Sequence, residues 1–255
     1  MYLYPRRVRS PLALAVVMTL VACAAPREGP LPAGRSPTET ARESPQPGRT
    51  APAASGPERY VAIGASDAAG VGAADPRTGS WPARIAAKLP QGSTYTNLGV
   101  SGSLAAQART QQSPAAIAAR PTLVTIWLAV NDLNNGISST EYRDVVAGIL
   151  AELVTRTEAR IFIGNVPDLT AVPVYRNADP AVLGAQVAAY NRWIAETAAR
   201  HPGRVSVVDL WSGSAALVST ATVSADGFHP SDGGYQLIAD RFIAAMRTAG
   251  IALSS

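Results

Sequence analysis

From Tyr60 onward, short apolar runs alternate with longer segments of helical character. The short runs are Tyr60-Val61-Ala62-Ile63, Thr94-Tyr95-Thr96-Asn97-Leu98, Leu123-Val124-Thr125-Ile126-Trp127-Leu128, Arg160-Ile161-Phe162-Ile163 and Val205-Ser206-Val207-Val208. Runs this short and rich in Val and Ile predict strands buried on both faces. The segments near Trp81 to Leu89, Thr140 to Thr157 and Pro180 to Arg200, and a last one from Ser231 to Ala249, predict helices. A βαβα order without an internal repeat predicts an α/β fold: a parallel five-stranded sheet covered by helices on both faces. Ligands bind such a sheet beyond the carboxyl ends of its strands, so the turns after the strands are where chemistry is expected.

The first 57 residues break this pattern. Arg6, Arg7 and Arg9 precede an apolar stretch from about Leu12 to Ala22, too short for a comfortable membrane span, which is the pattern of a secretory signal. Leu20-Val21-Ala22-Cys23 resembles a bacterial lipobox, which implies cleavage before Cys23 and a lipid on it; an ordinary signal peptide or an uncleaved anchor are the alternatives. Cys23 is the sole cysteine, so no disulfide forms within one chain. Residues 24–57 hold eight Pro and four Gly among 34 residues, a composition that builds no core and predicts a disordered spacer. As a coil it would reach about 30 Å. The expected division is a lipoprotein signal peptide over 1–22, a lipidated cysteine and linker over 23–57, and one folded domain over 58–255. The product would be an exported bacterial lipoprotein, a monomer held on the cell or outer membrane and facing away from the cytoplasm.

Charge narrows the partners. Of 22 Lys and Arg, three lie in the signal segment, leaving 19 against 18 Asp and Glu. With no basic stripe elsewhere, nucleic acid is excluded as a partner.

Four blocks carry candidate chemistry. Gly64-Ala65-Ser66-Asp67, after the first strand, puts a serine hydroxyl on a strand-to-loop turn, although an isolated GxS is more often only a turn. In Asn97-Leu98-Gly99-Val100-Ser101-Gly102 a glycine lets the backbone approach a ligand and offer its N–H. Trp127-Leu128-Ala129-Val130-Asn131-Asp132 places an amide donor at the end of the most apolar strand, or a simple cap there. Asp226-Gly227-Phe228-His229-Pro230 sets a carboxylate three residues before a histidine, a spacing that lets Asp226 orient His229. A serine needs a base to become a nucleophile, and the base needs a partner that fixes its tautomer. There are two histidines, and His201, in Ala199-Arg200-His201-Pro202-Gly203, reads as a helix end or surface residue.

These blocks, in this order from about Tyr60 to the last helix, resemble the SGNH hydrolases, also called GDSL-like lipases or esterases. The resemblance implies a flavodoxin-like three-layer α/β/α fold and a serine ester hydrolase. It makes Ser66 the nucleophile, Asp226 and His229 its partners, and the N–H groups of Ser66 and Gly99 with the Asn131 side chain the oxyanion hole. It implies no cofactor and no metal. Two positions depart from the family pattern. Ala65 stands where Asp usually precedes the serine, with Asp67 a candidate replacement, and Ala129 stands where Gly is usual, its methyl expected to narrow the site slightly. The substrate class implied is a small-molecule or lipid ester, with carbohydrate O-deacetylation, or a non-catalytic binding lipoprotein, as alternatives. The small-residue run Ala68 to Ala74 predicts an open site for small acyl groups, and Pro167 to Tyr175 either a pocket wall or a surface loop.

Overall fold

In the computed structural model, residues 56–254 are described. The expected signal segment, Cys23 and nearly all of the spacer lie outside them. Five strands, β1 (Arg59–Gly64), β2 (Thr94–Asn97), β3 (Leu123–Trp127), β4 (Arg160–Gly164) and β5 (Val205–Val208), form one all-parallel sheet in the order β2-β1-β3-β4-β5. The chain leaves β1 toward one edge and returns on its other side as β3. This reversal opens a crevice beyond the carboxyl ends of β1 and β3, where such sheets hold ligands.

The helices in chain order are α1 (Pro76–Gly79), α2 (Trp81–Ala86), α3 (Ala105–Gln107), a π-helical turn (Ala108–Gln112), α4 (Ser113–Ala118), α5 (Val130–Asn134), α6 (Ser139–Arg156), α7 (Pro180–Ala198) and α8 (Asp232–Thr248). The three long ones start at side-chain caps that satisfy first-turn N–H groups. The Ser138 hydroxyl accepts from Glu141 N at 3.1 Å, the Asp179 carboxylate from Ala181 N at 2.8 Å with Pro180 following, and the Ser231 hydroxyl from Gly234 N.

The two faces of the sheet are filled differently. Under α2 and α8 lies an aromatic cluster in which Trp81 stacks on Phe242 at 4.7 Å and meets Trp127 edge-on at 6.3 Å. Under α4, α6 and α7 the filling is largely aliphatic, with Val124, Ile126, Ile149, Leu153 and Ile194 fully buried. Burying one such side chain stabilises the fold by about 1.5–3 kcal/mol, so each face needs its own helices.

All five strands and the four predicted helical segments agree with the sequence reading within a few residues, and three differences have physical causes. Burial on both faces holds for β1, β3 and β4, whereas β2 and β5 are edge strands with exposed positions, in keeping with the Thr-Tyr-Thr-Asn of β2. The stretch between β2 and β3, predicted without an element, holds α3, the π turn and α4 end to end over 105–118, where the π turn breaks the 3.6-residue spacing and the Ala-rich sequence shows no apolar stripe. The brief α1 and α5 are too short to leave a periodic signature. Among the described residues no helix is long and apolar enough to cross a membrane.

Candidate active site

Ser66 leaves β1 on a turn that is tied down from several directions. The buried Gln112 side chain pairs with both backbone groups of Gly64: Oε1 accepts from Gly64 N and Nε2 donates to Gly64 O, each at 3.0 Å. The same Nε2 reaches the Ser103 hydroxyl at 3.1 Å. Gln112 closes the π-helical turn, a rare element that tends to occur at functional sites. Further along, Val71 N donates to Ser66 O at 2.9 Å and Ala69 N to Ala65 O at 3.0 Å. Asp67 supports the loop where the family's preceding Asp is missing, its Oδ1 accepting from Ala65 N at 3.2 Å. Burial pushes the Asp67 carboxyl up to about 6, against the hydrogen bonds of the turn that favour its charge.

His229, the histidine expected to act as base, arrives from the other end of the chain. Asp226 Oδ1 accepts from Phe228 N at 2.8 Å, His229 N at 2.9 Å and the Ser224 hydroxyl at 2.7 Å, an Asx turn closed around its own carboxylate. Gly227 sits at φ +72° and Ser224 N donates to His229 O at 2.8 Å, completing the hairpin. The other oxygen, Oδ2, lies 2.6 Å from His229 Nδ1, while His229 Nε2 lies 2.9 Å from Ser66 Oγ. A carboxylate only accepts, so Nδ1 carries the proton and Nε2 is left to accept from the serine. Partial desolvation of Asp226 opposes its charge, but the bonds from His229, Phe228 N and Ser224 outweigh it and hold the carboxyl well below the ordinary range. His201, by contrast, lies in the turn before β5, its carbonyl accepting from Arg204 N, at the opposite end of the sheet from Ser66.

The third block supplies Asn131 on α5. Its Nδ2 donates to Ser103 O at 3.1 Å, leaving a second N–H on a side chain that lines the crevice. Next to it the buried Asp132 carboxylate accepts from Ala105 N at 3.1 Å, and burial pushes it up to about 6. Ala129, at φ +98°, holds a left-handed conformation that disfavours any side chain. Ala129 lines the crevice, and the glycine usual there would relieve backbone strain.

Gly99 does not fit its expected role. Its N–H is donated to Asn97 Oδ1 at 3.0 Å and is not free for a substrate. A side chain there would stand 2.7 Å from the Ala68 methyl, and one at Gly64 only 2.6 Å from the same methyl. These two glycines make room for Ala68 below the nucleophile turn. Three residues on, Gly102 sits exposed at φ +78° in a turn closed by Ser103 N donating to Val100 O at 3.0 Å.

A cavity of about 160 Å³ opens beside Ser66, Asn131 and His229. The Pro167 to Tyr175 segment does form a wall through Pro167, Leu169 and Val172. The Ala68 to Ala74 run does not: at Gly72 an added Cβ would strike Pro230 O and the His229 Cβ, so this loop packs against the base. The loop from Ser214 to Val223, which nothing in the sequence pattern marked, and the start of α8 supply the remaining wall.

No match was found among curated proteins. Among solved structures, TesA is similar at a TM-score of 0.59 and 20% identity, over 75% of this chain and 99% of that one. A mutant of Axe2, an acetyl-xylooligosaccharide esterase from Geobacillus stearothermophilus, aligns at 0.60 and 20%, over 78% and 96%. A Clostridium thermocellum family 3 carbohydrate esterase aligns at 0.56 and 16%, over 76% and 96%. At these identities the likeness speaks for the fold, while the sequence profile of the GDSL-like lipase/acylhydrolase family matches residues 62–237, most of the described domain. With that match, the chain belongs to the GDSL-like lipase/acylhydrolase family of carboxylic ester hydrolases.

Proposed function

We propose that this protein hydrolyses carboxylic esters through Ser66, His229 and Asp226. The observation that carries the reading is the unbroken relay from Ser66 Oγ to His229 Nε2 at 2.9 Å and from His229 Nδ1 to Asp226 Oδ2 at 2.6 Å. Ser66 Oγ attacks the ester carbonyl carbon while its proton passes to Nε2, and Asp226 stabilises the imidazolium that forms. Collapse of the tetrahedral intermediate breaks the bond to the alcohol oxygen, which leaves with the Nε2 proton. Water then attacks the acyl-serine, gives a proton to Nε2, and the acid departs as that proton returns to Ser66 Oγ.

The oxyanion is held by the Ser66 N–H, the free Nδ2–H of Asn131 and, in place of Gly99, the N–H of Gly102. Gly102 directly precedes Ser103, whose carbonyl anchors Asn131. Preorganised donors of this kind supply much of the rate. The test is covalent labelling and turnover together: a fluorophosphonate probe should label wild type stoichiometrically and Ser66→Ala not at all. A folded Ser66→Ala variant that still cleaves a chromogenic ester at the normal rate would sink the assignment.

The N-terminal sequence supports an envelope lipoprotein tethered through Cys23, the spacer carrying the enzyme clear of the headgroups. Labelled palmitate should enter the wild-type chain and not Cys23→Ser. Equal labelling of Cys23→Ser and wild type would refute the tether.

A further inference from the structure

We infer that the cavity beside Ser66 is an acyl-chain site, selecting straight-chain acyl groups of about six carbons over acetyl; this rests on the ester-hydrolase reading above. Its floor is the buried apolar surface of Trp127, Leu128 and Leu210 at the ends of β3 and β5. One side is the α8 face that carries Gly234, Leu237, Ile238 and Arg241, positions three and four residues apart that lie along one stripe of the helix. Leu217, Val218 and Val223 close the outside. The loop at Thr222 lies against α8 because Gly234 has no side chain; a Cβ there would collide with Thr222 O.

The polar side chains in this wall, beyond the catalytic ones, are few, and each is tied to the wall by hydrogen bonds. The Ser214 hydroxyl donates to Trp211 O at 2.8 Å and accepts from Asp168 N at 2.8 Å. Thr222 Oγ1 donates to Leu217 O at 2.6 Å and accepts from Ser219 N at 2.9 Å. Asp168 Oδ1 takes the Thr170 N–H and hydroxyl, and Arg241 donates to the carbonyls of Asp209 and Ser212 at 2.9 and 2.7 Å. A sugar ring brings several hydroxyls that each need a partner on desolvation, and here most of them would meet apolar carbon. An aliphatic chain needs none.

Size sets the length. An apolar cavity of about 150 Å³ holds one benzene, six carbons. The present one, about 160 Å³ and partly open to solvent, shelters a chain of about that content, and carbons beyond it gain less. A cavity floored by buried side chains suits the acyl group, which stays bonded to Ser66 after the alcohol has left.

The experiment is a series of p-nitrophenyl esters, acetate to decanoate, with the purified full-length chain, alongside acetate esters of alcohols of increasing length. Burying a methylene is worth about fourfold. We therefore expect kcat/KM to climb about fourfold per carbon to near hexanoate, on the order of 10²-fold above acetate, and then to level or fall. Leu237→Trp should move the maximum to shorter chains and Leu237→Ala to longer ones; one of the two suffices if the other does not fold. Acetate as the best substrate, length dependence confined to the alcohol arm, or a maximum unmoved by either substitution overturns the acyl site while Ser66-dependent hydrolysis leaves the hydrolase reading standing. Absence of Ser66-dependent hydrolysis for every ester removes both.

Discussion

Ser66 and His229, the proposed nucleophile and base, sit 2.9 Å apart but are held in opposite ways. Ser66 is 8% exposed, and its turn is fixed by a side chain 48 residues away, Gln112. His229 is fixed mostly by its own neighbours: the bonds that close its hairpin, from Phe228 N, His229 N and Ser224 to Asp226 and from Ser224 N to His229 O, all join near neighbours in sequence, with one bond from afar, Val174 N to Gly227 O at 3.0 Å, and Asp226 is exposed. The carboxyl groups beside them shift in opposite directions accordingly. Burial raises Asp67, and a ring of donors lowers Asp226. A base that carries a transient charge is served by a wetted, donor-ringed carboxylate, whereas a nucleophile that must not move is served by a dry clamp.

The most severe way to break the pair is on the base side. His229→Ala should lower turnover of a short chromogenic ester by about 10⁴-fold or more, with circular dichroism unchanged. Asp226→Asn keeps the Asx turn through Oδ1 but turns a donor toward Nδ1, and should cost on the order of 10³–10⁴-fold. Asn131→Ala removes one oxyanion donor and should cost about 10²–10³-fold in kcat. Near-normal kcat in a folded Asn131→Ala protein would remove that residue from the hole.

The clamp is tested by stability. Gln112→Leu strands the N–H of Gly64, inside the sheet, and should lower the unfolding free energy by about 2–4 kcal/mol in urea. A loss under about 0.5 kcal/mol would mean that the turn does not depend on it.

The two carboxyls predict opposite pH responses. Asp67 has a folded value of about 6, above its unfolded one, so its contribution is present at low pH and is lost as pH rises through about 6. Asp226 is depressed, so its contribution is present above the unfolded value of about 4 and is lost as pH falls below it. Asp67→Asn should flatten the loss of stability between about pH 4 and 6. Relative to wild type it should gain on the order of 1 kcal/mol on going from about pH 4.5 to 8, a value discounted for the partial exposure of the residue. An unchanged pH slope in urea unfolding would count against it. The smallest effect expected is at the third block, where Ala129→Gly relieves a φ of +98° and should raise stability by up to about 1 kcal/mol.

The same contrast explains what could be read in advance. Asp226 and His229 were legible because an Asx turn is a local event: carboxylate, glycine and histidine at fixed offsets are both the signal and the structure. Gln112 was not, because nothing distinguishes it from its neighbours Gln107 and Gln111 in an Ala-rich stretch, and it acquires its role only when the π turn swings it onto β1. Gly99 was misassigned for a related reason. Sequence marks where a glycine is needed but not whether the need is a free N–H or space for the Ala68 methyl.

By itself, the sequence determined the parallel α/β layering, the five strands, the long helices, and the local turn that joins Asp226 to His229, since each depends mostly on residues close together in the chain. Tertiary structure alone decided which distant groups meet. It placed Gln112 on Gly64 and enclosed Asp67 beside Ser66. It also made an apolar cavity from β3, the 214–223 loop and α8, because packing energy depends on contacts between segments whose spacing along the chain is unconstrained.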